Sequence, residues 1–169
     1  MSMATRYQEN LEKGVAALID GPLVVATIGS PVGSMSRLFT SEAFKLGMSA
    51  AGGDGTFTVS GSTRGRVEQP EGKDIRLPQS FAVALTGSSV YFFKWKPFWG
   101  RVKIKKELAR IPREGLRVRV TQGKATATVF LLLSETTGMR VAFEMATLGM
   151  AKAKEKVAEV VGAFVPETA

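Results

Sequence analysis

Neither cysteine nor histidine occurs anywhere in the 169 residues of this chain. The first absence excludes disulfides, thiolate nucleophiles, zinc-thiolate sites and iron-sulfur clusters. The second removes the usual general base near neutral pH and the commonest metal ligand. A metal site would have to be built from oxygen alone, and no cluster of carboxylates suits one. Acids are also the minority charge: 15 Asp and Glu stand against 23 Lys and Arg, a formal net charge of +8. A field of that sign favours polyanions: nucleic acid, an anionic membrane surface or an acidic protein. No apolar run reaches the roughly 18 residues of a membrane span. Glu9, Glu12 and Asp20 interrupt the N-terminal segment, so it does not read as a signal peptide. The expectation is a soluble, cytoplasmic chain.

What is present is an ordinary globular mixture, 44% apolar and 22% charged. The length suits a single domain over 1–169 able to bury its own core. Tyr7, Leu11, Val15 and Leu18/Ile19 recur at helical steps and predict a helix over 5–20. Thr5 and Gln8 would form a capping box, and Gly21-Pro22 a stop. LVVATI at 23–28 predicts a strand buried on both faces. GSPVGS at 29–34 reads as a turn, and a helix over 35–48 would carry Leu38, Phe39 and Phe44. The stretch 49–79 is rich in Gly, Ser and Thr and predicts a long loop, with a small hairpin available at Thr56–Val59.

From residue 80 the pattern changes. Short segments at 80–86, 90–96, 105–112, 115–122, 125–133 and 139–145 predict successive strands. The clearest alternates Leu116, Val118 and Val120 with Arg117, Arg119 and Thr121. A helix over 150–164 follows, with Ala153, Val157, Val160 and Phe164 as its apolar stripe and Pro166 as its stop. The fold class is therefore α+β: an antiparallel meander closed by a C-terminal helix, preceded by N-terminal helices and a strand.

The hairpin FAVALTGSSVYFFKW, the segment KELARIPREGLRVRV, two further strands and the closing helix resemble the pleckstrin-homology-like superfold. The likeness includes bacterial PH-like and GRAM-like domains and covers about residues 80–164. It implies a partly open barrel and a binding or scaffolding role. It does not imply a ligand, because that superfold hosts lipid, peptide and purely structural roles.

One segment concentrates chemistry. FFKWKPFWGRVKIKK, 92–106, holds six of the 23 cations: Lys94, Lys96, Arg101, Lys103, Lys105 and Lys106. Both tryptophans of the chain, Trp95 and Trp99, lie among them with Phe98. Rings at headgroup depth with ammonium groups on phosphates suit an anionic bilayer. The same composition suits single-stranded nucleic acid, with rings stacked on bases, although it ranks lower. An acidic protein partner fits as well, and so does a homo-oligomer that covers the aromatics in a structural role. The plain alternative puts both tryptophans in the core, with the lysines guarding a sheet edge.

Other candidates are weaker. GSPVGS resembles a phosphate cradle but lacks the P-loop lysine and the dinucleotide spacing. Arg64, Arg66, Lys73 and Arg76 read as loop charges, and Arg117 and Arg119 as the wet face of a strand. Glu9/Glu12 and Glu155/Glu159 read as solvated helix faces, and no serine has a histidine to activate it. The sequence points to a non-enzymatic protein with no metal and no cofactor.

Overall fold

The computed structural model describes residues 3–31, 65–70, 72–99, 101–122, 127–146 and 153–164. Helix α1 spans Met3–Ala16 and leads into β1, Leu23–Pro31. A small hairpin follows, β2 (Arg66–Val67) and β3 (Ile75–Arg76). Six strands come next: β4 (Phe81–Thr86), β5 (Ser89–Phe98), β6 (Arg101–Pro112), β7 (Leu116–Gln122), β8 (Ala127–Ser134) and β9 (Arg140–Ala146). Helix α2, Ala153–Phe164, ends the described chain.

Seven strands form one antiparallel sheet in the order β6-β5-β4-β1-β9-β8-β7. Strand β1 is its seam. Residues 23–29 pair with β4, and Ser30 and Pro31 pair with Glu144 and Phe143 of β9. Strands β6 and β7 are consecutive in the chain yet stand at opposite ends of this order. The short turn between them, Arg113–Gly115, therefore makes the sheet curl until its two ends approach. Gly115 sits in that turn at φ 71°, and a Cβ there would meet the Thr136 hydroxyl at 2.5 Å. Only glycine satisfies both conditions. The sheet does not close.

Alternation along β4 and β5 buries both faces of the sheet. Phe81, Val83, Leu85, Val90 and Phe92 join Phe130, Leu132, Val141 and Phe143 in one core, closed by Val157, Val160 and Phe164 of α2. Phe143 is its hub. Its ring stacks on Phe130 at 5.0 Å and meets Phe92 at 5.9 Å, Phe164 at 6.2 Å and Phe81 at 6.3 Å. Ala82, Ala84, Tyr91, Phe93 and Val102 point the other way and pack under Leu11 and Val15 of α1. The alanines leave room for the helix. A Cβ on Gly14 would come within 2.7 Å of Ile104, so α1 rests directly on β6.

Several sequence expectations are corrected. The first helix ends at Ala16, and residues 17–20 form turns in which Leu18 donates to the Val15 carbonyl at 2.9 Å. Thr5 lies inside the helix, so it is not the cap. The Gln8 amide reaches forward to the Glu12 carboxylate and across to the Ala26 carbonyl. Gly29, Ser30 and Pro31 extend β1 and do not begin a turn, because Phe143 and Phe81 flank Gly29 and draw the backbone into the sheet. Within 49–79, residues 65–70 and 72–77 are not loose. They fold into β2 and β3, bury Val67 and Leu77 in the main core, and join β9 through two backbone hydrogen bonds between Glu68 and Arg140. The helix expected over 35–48 and the hairpin at 56–59 lie outside the described residues. Strands β5 and β6 run further than expected, to Phe98 and from Arg101.

Candidate functional site: the basic ribbon of strands β5 and β6

Strand β4 pairs with β5 only as far as Phe93. Beyond that point β5 and β6 continue as a two-stranded ribbon. Lys94 stands opposite Lys106, Trp95 opposite Ile104, Lys96 opposite Lys103, Pro97 opposite Val102 and Phe98 opposite Arg101. Residues paired across an antiparallel ladder share a face, and next-but-one residues share it too. The ribbon is therefore two-sided. One side continues the Val90 and Phe92 face as Lys94, Lys96, Lys103 and Lys106. The other continues the Tyr91 and Phe93 face as Trp95, Val102 and Ile104, which pack with α1.

Two irregularities in β6 complete the basic side. The register steps over Leu108 between the Phe92 and Phe93 pairs, and over Lys105 between the Lys94 and Trp95 pairs. Each skipped residue is a β-bulge, which re-aims its side chain and twists the edge. The second bulge brings Lys105 beside its neighbours. The neighbouring Lys96 amine is the first cause of a Lys105 pKa below the ordinary lysine value of 10.5. Partial desolvation and the charges of Lys103, Lys96 and Lys94 depress it further. Five ammonium groups thus crowd one exposed face, which lowers the energy of any multivalent anion brought against them.

The two tryptophans part company. Trp95 is half-buried. Its indole N–H donates to the Ser80 hydroxyl at 3.0 Å, and its ring meets Tyr7 of α1 edge-on at 6.2 Å. It belongs to the second core and faces away from the lysines, so the expectation that both indoles share the charged surface is corrected. Trp99 is 89% exposed at the tip of the ribbon. Phe98 pairs with Arg101 beside that tip, and its side chain is outside the described set. Lys94, Lys96, Arg101, Lys103, Lys105 and Lys106 are all exposed. Ser80 and Tyr7, which hold Trp95 inward, carry no sequence signal for that role. The doubled Lys105-Lys106 is the one legible clue to the bulge.

The remaining candidates scatter. Arg66 and Arg76 face each other on the small hairpin with Lys73 in its turn, and all three are exposed. Arg64 lies outside the described residues. Arg117 pairs with Glu135 at 3.4 Å and lies half-buried beside Arg119 on β7. Two of the helix carboxylates pair with one lysine: Glu159 with Lys156 of its own helix at 3.5 Å, and Glu12 of α1 with the same Lys156 at 3.9 Å. Gly29 to Pro31 of the suggested phosphate cradle are strand. Among the described residues no helix is long and apolar enough to cross a membrane. In comparisons with known proteins, no family model and no curated protein matches this chain.

Proposed function

We propose that the chain is a non-enzymatic docking module of PH-like architecture that binds an anionic surface through the β5–β6 ribbon. The observation that carries this reading is the convergence of Lys94, Lys96, Lys103, Lys105 and Lys106 on one exposed face. A surface kept only for solubility gains nothing by setting like charges directly opposite each other, an arrangement that costs stability. An anionic partner offsets that cost on binding, at about 1 kcal/mol per cation near a charged bilayer.

The strand order supports the PH-like half of the reading. Set β2 and β3 aside as part of an insertion between β1 and β4. The sheet then runs fourth, third, second, first, seventh, sixth and fifth strand, and a helix follows the seventh. One antiparallel sheet that curls without closing, followed by a helix, supports the partly open barrel that the resemblance over about residues 80–164 implies. The absence of histidine and cysteine supports the non-enzymatic half.

The test is co-sedimentation with vesicles of phosphatidylcholine alone or mixed with phosphatidylserine, over a salt series. Docking predicts binding to the mixed vesicles, weakened by salt, and lost in the double substitution Lys96→Glu with Lys103→Glu. Equal partitioning onto both vesicle types, with no binding to soluble polyphosphate, removes the reading. Tighter, salt-steep binding to a single-stranded oligonucleotide transfers the site to nucleic acid. Concentration-dependent mass in light scattering, reversed by the same double substitution, transfers it to self-assembly.

A further inference from the structure

We infer that Lys105 is an acylation site of the basic ribbon, its amine taking the acyl group from an acyl phosphate whose phosphate is held by the lysines around it. The site follows from the geometry of the ladder, and its regulatory consequence rests on the docking reading above. The register steps over Lys105, so Lys105 and Lys106 together oppose Lys94, while Lys96 and Lys103 oppose each other two pairs further on. A bulge residue has no partner of its own across the ladder, and its side chain is re-aimed. Lys105 is thus the odd amine among two facing pairs, and it is exposed to solvent. A proton on its nitrogen is repelled by the surrounding ammonium groups, which favours the neutral form. The neutral amine is the nucleophile, and neighbouring cations are one way a protein activates a lysine. The lowered pKa of Lys105, caused first by Lys96, agrees with that arrangement. Among the described residues the charges that act on it are those of Lys103, Lys96 and Lys94, all of one sign. None belongs to α1, which packs on the other side of the ribbon. Glu107, the nearest acid along the strand, pairs with Arg110 at 2.9 Å and does not neutralise the cluster.

The same lysines select the donor. An acyl phosphate carries its negative charge on the group that leaves. Ammonium groups that hold this phosphate raise the local concentration of the donor and stabilise the departing charge. The Lys105 nitrogen attacks the acyl carbon, a C–N bond forms, and the C–O bond to phosphate breaks. The electron pair of that bond leaves with the phosphate, and the amine proton goes to water. The product is a neutral amide. One charge is removed from the docking face, and the repulsion among the remaining lysines falls. Acylation therefore acts as an off switch for the ribbon, weakening its hold on an anionic bilayer about fivefold, the effect of one cation.

The experiment incubates the whole chain with acetyl phosphate and follows each lysine by peptide mass spectrometry. Lys105 should acetylate at least about tenfold faster than Lys13 and Lys73, which are exposed outside the ribbon; tenfold is the lower end of what a charged surface does to the local concentration of an anion. High salt or added pyrophosphate should remove the excess. Lys96→Gln should slow Lys105 severalfold, and N-acetoxysuccinimide, an uncharged donor, should show a smaller preference. Lys105→Gln, which stands in for the amide, should bind vesicles of phosphatidylcholine with phosphatidylserine about fivefold more weakly than the natural chain. Lys105→Arg should keep that binding. Equal acetylation of Lys105, Lys13 and Lys73 overturns the site. A Lys105 rate unchanged in Lys96→Gln overturns the role of its neighbours. The same preference with the uncharged donor overturns acyl phosphate as the substrate. Where the natural chain binds the anionic vesicles, equal binding by Lys105→Gln overturns the switch. Fast acetylation of Lys105 in a chain that binds no anionic vesicle overturns the docking reading and leaves the modification site standing.

Discussion

Replacing Lys96 by glutamine should move two measurements in opposite directions. Lys96 stands directly across from Lys103, and it is the first cause of the lowered Lys105 pKa. Two like charges about 6 Å apart in water repel by roughly 0.7 kcal/mol. A Debye length of about 8 Å at physiological salt cuts that to about 0.3 kcal/mol. Summed over the two or three nearest ammonium groups, removing Lys96 relieves up to about 1 kcal/mol in the folded state. For a chain of this size that raises Tm by about 2–4 °C. On an anionic bilayer the same change loses about 1 kcal/mol, close to fivefold in affinity. Differential scanning calorimetry and vesicle co-sedimentation read the two effects. NMR titration of the lysine amines adds a third readout, with the Lys105 pKa rising back toward its ordinary value. A fall in Tm of several degrees would mean that the Lys96 stem is a structural brace. Unchanged affinity would mean that the basic face is not the contact. Either result refutes the reasoning.

Other expectations follow from the same structure. Phe143→Ala removes the hub of five packed rings; about 3–5 kcal/mol should be lost in urea denaturation, against less than about 1.5 kcal/mol for Phe143→Leu. Arg113 donates to the Thr86 carbonyl at 2.9 Å and to the Ala163 carbonyl at the end of α2 at 3.3 Å. Arg113→Ala should cost about 1–3 kcal/mol and speed hydrogen exchange in α2 ahead of the sheet. Because the Lys105 pKa is depressed in the folded chain, the unfolded chain binds more protons between that value and 10.5, so its contribution to stability rises with pH across that window. Anion binding favours the charged amine, so affinity should fall as pH rises through the depressed value. A flat pH profile for Lys105→Arg, beside a sloping one for the natural chain, checks the assignment.

The sheet was legible from local pattern where one rule governs it. Leu116, Val118 and Val120 alternate with arginines because β7 is packed on one side only, and period two reports that directly. Contiguous runs such as FAVALT and VYFF identify strands buried on both faces but do not say what lies on each face. The small hairpin at 66–76 escaped detection because two-residue strands carry almost no periodic signal. Their order comes from long-range contacts, Glu68 to Arg140 and Val67 to the main core. The length of the first helix was overread because Leu18 and Ile19 keep the helical spacing through turns that no longer follow it.

At the ribbon, composition and alternation by themselves determined that cations and rings occur together on strand positions. They did not separate the two tryptophans, which share the same parity along the strand. The tertiary structure made that separation. Helix α1 lies over Trp95 and supplies Tyr7, while Trp99 at the turn stays 89% exposed. It also decided that Lys105 joins its neighbours, through a bulge set by pairing with the partner strand. Side-chain chemistry and period are local properties and are written in the chain. Which face is covered, and where a ladder slips, depends on elements distant in sequence, and only their packing decides it.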